Sequence, residues 1–126
     1  MPLAYTIDAD ERLIVITGDY ADAGEWRTLL ARVMNDERRA PGFAFLRDLR
    51  EASRPVDAET VVQVMEVVRR FWPYVQPSRA AILTRHDENP AALVAHALAD
   101  AQQLPVRAFN SHDEAMAWLR EGLSPP

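Results

Sequence analysis

Two tripeptides in this chain bring chemistry-bearing side chains together in the same order. His86-Asp87-Glu88 and His112-Asp113-Glu114 each join an imidazole to two carboxylates. Imidazole plus carboxylate is a donor set that suits zinc, manganese or non-haem iron. Each tripeptide follows a segment that reads as a strand. In an open α/β sheet both then lie at the C-terminal edge, where ligands usually bind. A second reading competes. Acidic residues in a first helical turn complement the helix dipole, and polar residues before a helix cap its free N–H groups. Ser111 and Glu114 have the spacing of a capping box. Capping accounts for both tripeptides, so the metal set of His86, Asp87, His112 and Asp113 is rejected and no metal or other cofactor is expected.

Other catalytic patterns lack their residues. The four glycines, Gly18, Gly24, Gly42 and Gly122, are never clustered, whereas the dinucleotide fingerprint and the P-loop need several in one loop. No serine sits in a Gly-x-Ser-x-Gly elbow. The chain has no cysteine, hence no thiolate nucleophile and no disulfide. All 14 basic residues are arginine. Without lysine there is no Schiff-base amine and no P-loop lysine. The same absence excludes a response-regulator receiver domain, whose length and alternation are comparable. Asp48, between Arg47 and Arg50, reads as a carboxylate paired at a strand end, and His96 as a surface residue. The protein is expected not to be an enzyme.

Composition narrows the partners. Nineteen acidic against 14 basic side chains leave a formal charge of −5, with no basic run. The phosphate-contacting stripe of a nucleic-acid binder is missing. No apolar stretch approaches the ~20 residues of a membrane span. The opening Met1-Pro-Leu-Ala-Tyr5 does not have the pattern of a signal peptide, so the cytoplasm is the expected compartment.

These side chains need a scaffold, and the periodicity supplies one. Tyr5 to Ile7 and Leu13 to Thr17 read as a hairpin. Asp22 opens a helix with Trp26, Leu29, Leu30 and Val33 as its buried stripe and Met34 at the edge. Phe43 to Asp48 is a third strand. Asp57 caps a second helix running to about Trp72, with Pro73 and Pro77 bracketing its exit. Arg79 to Thr84 is a fourth strand. Asn89 caps a third helix, with Pro90 at its first position and Leu93, Val94, Ala97, Leu98 and Ala101 on its apolar face. Pro105 to Phe109 is a fifth strand, and Ser111 caps a last helix built on Ala115, Trp118 and Leu119. Alternating strands and helices imply parallel pairing with right-handed crossovers. The expected fold is a single α/β domain over residues 1–126. Its one mixed five-stranded sheet has the first strand antiparallel and strands two to five parallel, and four helices flank it.

Several of these segments resemble the SpoIIAA-like family of the STAS superfamily, the anti-sigma-factor antagonist fold distantly shared with CRAL-TRIO lipid-binding domains. The resemblance rests on Tyr5-x-Ile7, Leu13 to Thr17, Phe45-Leu-Arg-Asp-Leu-Arg50, Leu104 to Phe109, and Glu114-Ala-x-x-Trp-Leu119. It covers nearly the whole chain and implies the fold more firmly than any activity. In antagonist members an Asp-Ser pair after the third strand begins a helix, and the serine is phosphorylated to switch partners. The matching segment here is Asp57-Ala58-Glu59-Thr60. Alanine fills the serine slot and Thr60 is the nearest hydroxyl, which puts phosphorylation control in doubt.

The second helix carries more apolar surface than a core requires. Val61, Val64, Met65, Val68, Phe71 and Trp72 fill one arc at 100° per residue, and Val67 and Tyr74 widen it beyond the usual ~100° stripe. Continuous exposed apolar groups commonly mark an interface. Val67, Phe71 and Tyr74 are therefore expected to form part of a homodimer or partner face, unless Val67 tucks under the linker from Arg50 to Val56. The function expected is a non-catalytic binding or regulatory module that contacts a protein partner or itself. The alternatives are a carrier of a small apolar or lipid-like ligand held against the sheet, and a metal-dependent enzyme using the His86 and His112 loops.

Overall fold

A computed structural model describes residues 2–19, 22–52, 57–85 and 90–125. The elements, in chain order, are β1 (Ala4–Asp8), β2 (Leu13–Thr17), α1 (Ala23–Met34), β3 (Ala44–Asp48), α2 (Ala58–Val75), β4 (Ala80–Leu83), α3 (Pro90–Ala101), β5 (Val106–Phe109) and α4 (His112–Glu121). The five strands form one sheet in the order β1-β2-β3-β4-β5. β1 runs antiparallel to β2, and every later pair is parallel. This is the expected architecture.

Sequential parallel strands joined by helical crossovers of one hand place the crossover helices on one side of the sheet. The side chains show that arrangement, because neighbours along a strand face opposite ways. Ile14, Ile16, Phe43 and Phe45 pack with Trp26, Leu29, Leu30 and Val33 of α1 and Val64 and Val67 of α2. Further along, Ile82 and Val106 pack with Val61 and Met65 of α2 and Ala92, Ala95 and Ala99 of α3. The intervening residues Leu13, Ala44, Leu46, Ala81 and Leu83 face the other way, onto Ala115, Met116 and Leu119 of α4. Three helices thus cover one face, and α4 packs on the other over β3, β4 and β5.

The helix starts follow from their caps. The Asp22 carboxylate accepts from the Glu25 N–H at 2.9 Å, that of Asp57 from the Thr60 N–H at 2.7 Å, and the Ser111 hydroxyl from the Glu114 N–H at 3.3 Å. Each satisfies a donor that the helix cannot satisfy itself. The expected cap at Asn89 lies outside the described residues.

Two sequence expectations are corrected. α2 does not exit at Trp72 but continues through Pro73 to Val75. The added turn buries Val75 in the core and closes on Gln76, whose left-handed backbone (φ 48°) lets its N–H bond to the Trp72 carbonyl at 2.8 Å. A proline one turn from a helix end removes little of the bonding ladder. The buried side of α3 is also different. Ala92, Ala95 and Ala99 face the core, while Ala97 and Ala101 are exposed and Leu93 is 50% exposed. Val94 and Leu98 flank the buried line. Small side chains let α3 approach the large residues Ile82, Met65 and Val106, so size complementarity outweighs the hydrophobicity of the rival face.

Gly18, just after β2, has φ +104°, and a Cβ there would collide with the Pro2 carbonyl. Only glycine fits both demands. This turn presents the Gly18 carbonyl to the buried side of the sheet.

Candidate functional site

Arg47 sits in β3 two residues beyond Phe45, on the same sheet face, under the α1–α2 layer. It is 6% exposed. A buried guanidinium must keep its hydrogen bonds. Its Nη1 donates to the Ile16 carbonyl at 3.3 Å and its Nη2 to the Gly18 carbonyl at 3.0 Å. The guanidinium carbon also lies 5.4 Å from the centroid of the Trp26 ring, within reach of a cation–π attraction.

Trp26 reaches this place from the first turn of α1. It is 5% exposed, and its Nε1–H is buried without a hydrogen-bond partner among the described residues. An unsatisfied buried donor costs about 1–3 kcal/mol.

Both side chains border a cavity between the sheet and the helices. The space is about 70 Å³ for the centre of a water-sized sphere, and its walls are almost wholly apolar. Ile16 and Phe45 line it from the sheet, Leu30 from α1, and Val64, Val68 and Trp72 from α2. This volume is about half the ~150 Å³ of an apolar cavity that holds benzene, so the space suits a molecule of about three or four non-hydrogen atoms. Arg47 and the indoles of Trp26 and Trp72 bring polar groups to an otherwise hydrocarbon chamber, the composition typical of small-molecule sites.

Sequence reasoning did not find this site. From the sequence, Trp26 is one member of an apolar stripe, and Arg47 is one of two arginines beside Asp48. The available signal was the alternation Phe43, Phe45, Arg47, which puts an arginine on the core face of an apolar strand.

The residues singled out from sequence are distributed as follows. Of the metal set, His86 and Asp87 lie outside the described residues. His112 and Asp113 open α4, and both are exposed. Among the described residues no group of three or more His, Asp or Glu is placed to hold a metal ion. Asp48 is chelated by Arg50, whose Nε and Nη2 donate at 3.0 and 2.9 Å. Those bonds hold its carboxyl below the usual carboxylate range against the opposing effect of burial. At the antagonist-like slot, the Asp57 carboxyl is likewise lowered, chiefly by the backbone N–H of Thr60. Ala58 is exposed and Thr60 half-buried.

The three residues expected on a partner face share one side of α2 but differ in burial. Val67 is 4% exposed and packs into the cluster that includes α1. Its packing with α1 leaves it unavailable to a partner of the folded monomer, and residues 53–56 of the linker expected to cover it lie outside the described residues. Phe71 is half-buried against the same cluster. Tyr74 is 65% exposed.

No helix among the described residues is long and apolar enough to cross a membrane. Comparison with protein-family models, with curated proteins and with solved structures gave no match.

Proposed function

We propose that this chain is a non-catalytic binding module that holds a small, mostly apolar molecule between its sheet and the α1–α2 layer. One observation carries the reading: the apolar cavity of about 70 Å³ bordered by Trp26 and Arg47. Empty apolar space inside a protein forfeits dispersion contacts, and a ligand that fills it recovers them. Occupancy also stabilises the folded chain, because the unfolded chain has no such site. A module whose stability depends on a ligand can report that ligand to whatever it touches. The SpoIIAA-like resemblance belongs to this proposal, with alanine at position 58 in place of a phosphorylatable serine.

Native mass spectrometry of protein purified without denaturation tests the reading. A bound small mass, or saturable retention of added acetone, is expected in the wild type and not in Ala95→Leu, whose larger side chain fills the cavity from α3. A wild type that neither carries nor retains a small molecule counts against it.

A second reading, contact with a protein partner or a second copy, is favoured by Tyr74, whose large ring stands exposed near the C-terminal end of α2. Light scattering on the wild type and on Tyr74→Glu separates the two. A mass that falls to the monomer in the variant supports contact through this ring, and a wild type already monomeric at high concentration removes self-association.

A further inference from the structure

We infer that the ligand of this cavity is a neutral compound carrying one hydrogen-bond acceptor, a small ketone or cyclic ether rather than a pure hydrocarbon or a carboxylate, and that the acceptor sits on the Trp26 Nε1–H. The inference rests on the cavity reading above and specifies its chemistry.

The Trp26 indole N–H is buried, has no acceptor among the described residues, and belongs to a ring that borders the cavity. Buried donors in folded proteins nearly always have an acceptor, supplied by protein, water or ligand. A bare hydrocarbon would fill the space and leave this donor unsatisfied. A ligand oxygen would satisfy it, and the apolar walls would take up the rest of the molecule.

The same geometry disfavours a carboxylate. A carboxylate would shed its water on entering a chamber whose walls are almost wholly apolar, and stripping an anion of water is far costlier than stripping a carbonyl. The Arg47 Nη1 and Nη2 atoms already donate to the Ile16 and Gly18 carbonyls. Its cation instead acts through the ring. A positive charge 5.4 Å from the indole centroid draws electron density towards itself and makes the N–H a better donor to a neutral acceptor.

The test uses two probes of matched shape, acetone and 2-methylpropene, which differ by an oxygen in place of a CH₂ group. Each has four non-hydrogen atoms, about the number the cavity takes. Both are titrated into wild-type protein and into Trp26→Phe, and each affinity is compared between the two proteins, so that the unequal hydrophobicity of the probes cancels. In parallel, the wild-type indole N–H resonances are followed, with Trp72→Phe and Trp118→Phe used to assign the signal of Trp26.

The expected result is that Trp26→Phe weakens acetone about tenfold more than 2-methylpropene, the effect of one well-made hydrogen bond. Acetone should also move the Trp26 N–H downfield, and 2-methylpropene should not. Equal losses for the two probes with no downfield shift would overturn the acceptor while leaving the cavity reading intact. Binding of neither probe would overturn the cavity reading itself. If Trp26→Phe fails to fold, the wild-type indole shift alone decides between the first two outcomes.

Discussion

The Arg47 guanidinium lies 5.4 Å from the centroid of the Trp26 ring while donating to the Ile16 and Gly18 carbonyls. One buried cation thereby ties the C-terminal end of β2 to β3 and braces the first turn of α1 against the sheet. Arg47→Ala strands two buried carbonyls and opens space beside Trp26. We expect a loss of about 2–4 kcal/mol in folding stability, read from urea denaturation. A change under 0.5 kcal/mol, on the order of an ordinary surface substitution, would show that this contact does not hold the layer together.

Gly18 sets the position of one of those carbonyls. A side chain there meets both an unfavourable φ and the Pro2 carbonyl, so Gly18→Ala should cost about 1–3 kcal/mol. Chemical denaturation measures this directly. An unchanged midpoint would mean that the turn relaxes freely.

Asp48 gives the protein an acid-sensitive link between β3 and the start of the following loop. Its carboxyl is held below the ordinary value by Arg50. A depressed folded-state pKa stabilises the fold above the unfolded value of about 4, and that stabilisation disappears as pH falls through the folded value. Asp48→Asn should therefore lower the melting temperature more at pH 7 than at pH 2. Equal shifts at both pH values would assign the effect to something other than charge.

Val67 and Tyr74 separate burial from exposure on one helix. Val67→Glu places a carboxylate in the core cluster and should unfold the protein or cost several kcal/mol, on the order of an unpaired buried charge. Tyr74→Glu should change stability by no more than about 0.5 kcal/mol. Thermal melts of the two variants check the contrast. A destabilised Tyr74→Glu would place that ring in a contact of the native assembly.

Much of the scaffold was legible in the sequence because its signals are local. Asp22, Asp57 and Ser111 cap helices as their spacing predicts, and β2 has the predicted bounds. The misreadings arose where tertiary packing decides. Ala92, Ala95 and Ala99 were passed over for the face bearing Leu93 because hydrophobicity alone does not register how closely a helix must approach its neighbours. Pro73 was read as a terminator, although the last turn gains more from burying Val75 than it loses at the proline. The cavity was invisible for a related reason. It exists where residues from β2, β3, α1, α2, β4 and α3 fail to meet, and no pattern within one segment records a gap between several. Arg47 carried the nearest signal, yet its neighbour Asp48 offered a simpler surface pairing that in fact belongs to Arg50.

Crystals of the unliganded protein pressurised with xenon test the central claim most directly, since xenon enters dry apolar cavities and is plainly visible in density. The expected result is a xenon site between Phe45 of the sheet and Val64 and Trp72 of α2, lost in Ala95→Leu. Side chains of α2 closed onto the sheet, with no xenon between them, would contradict the account.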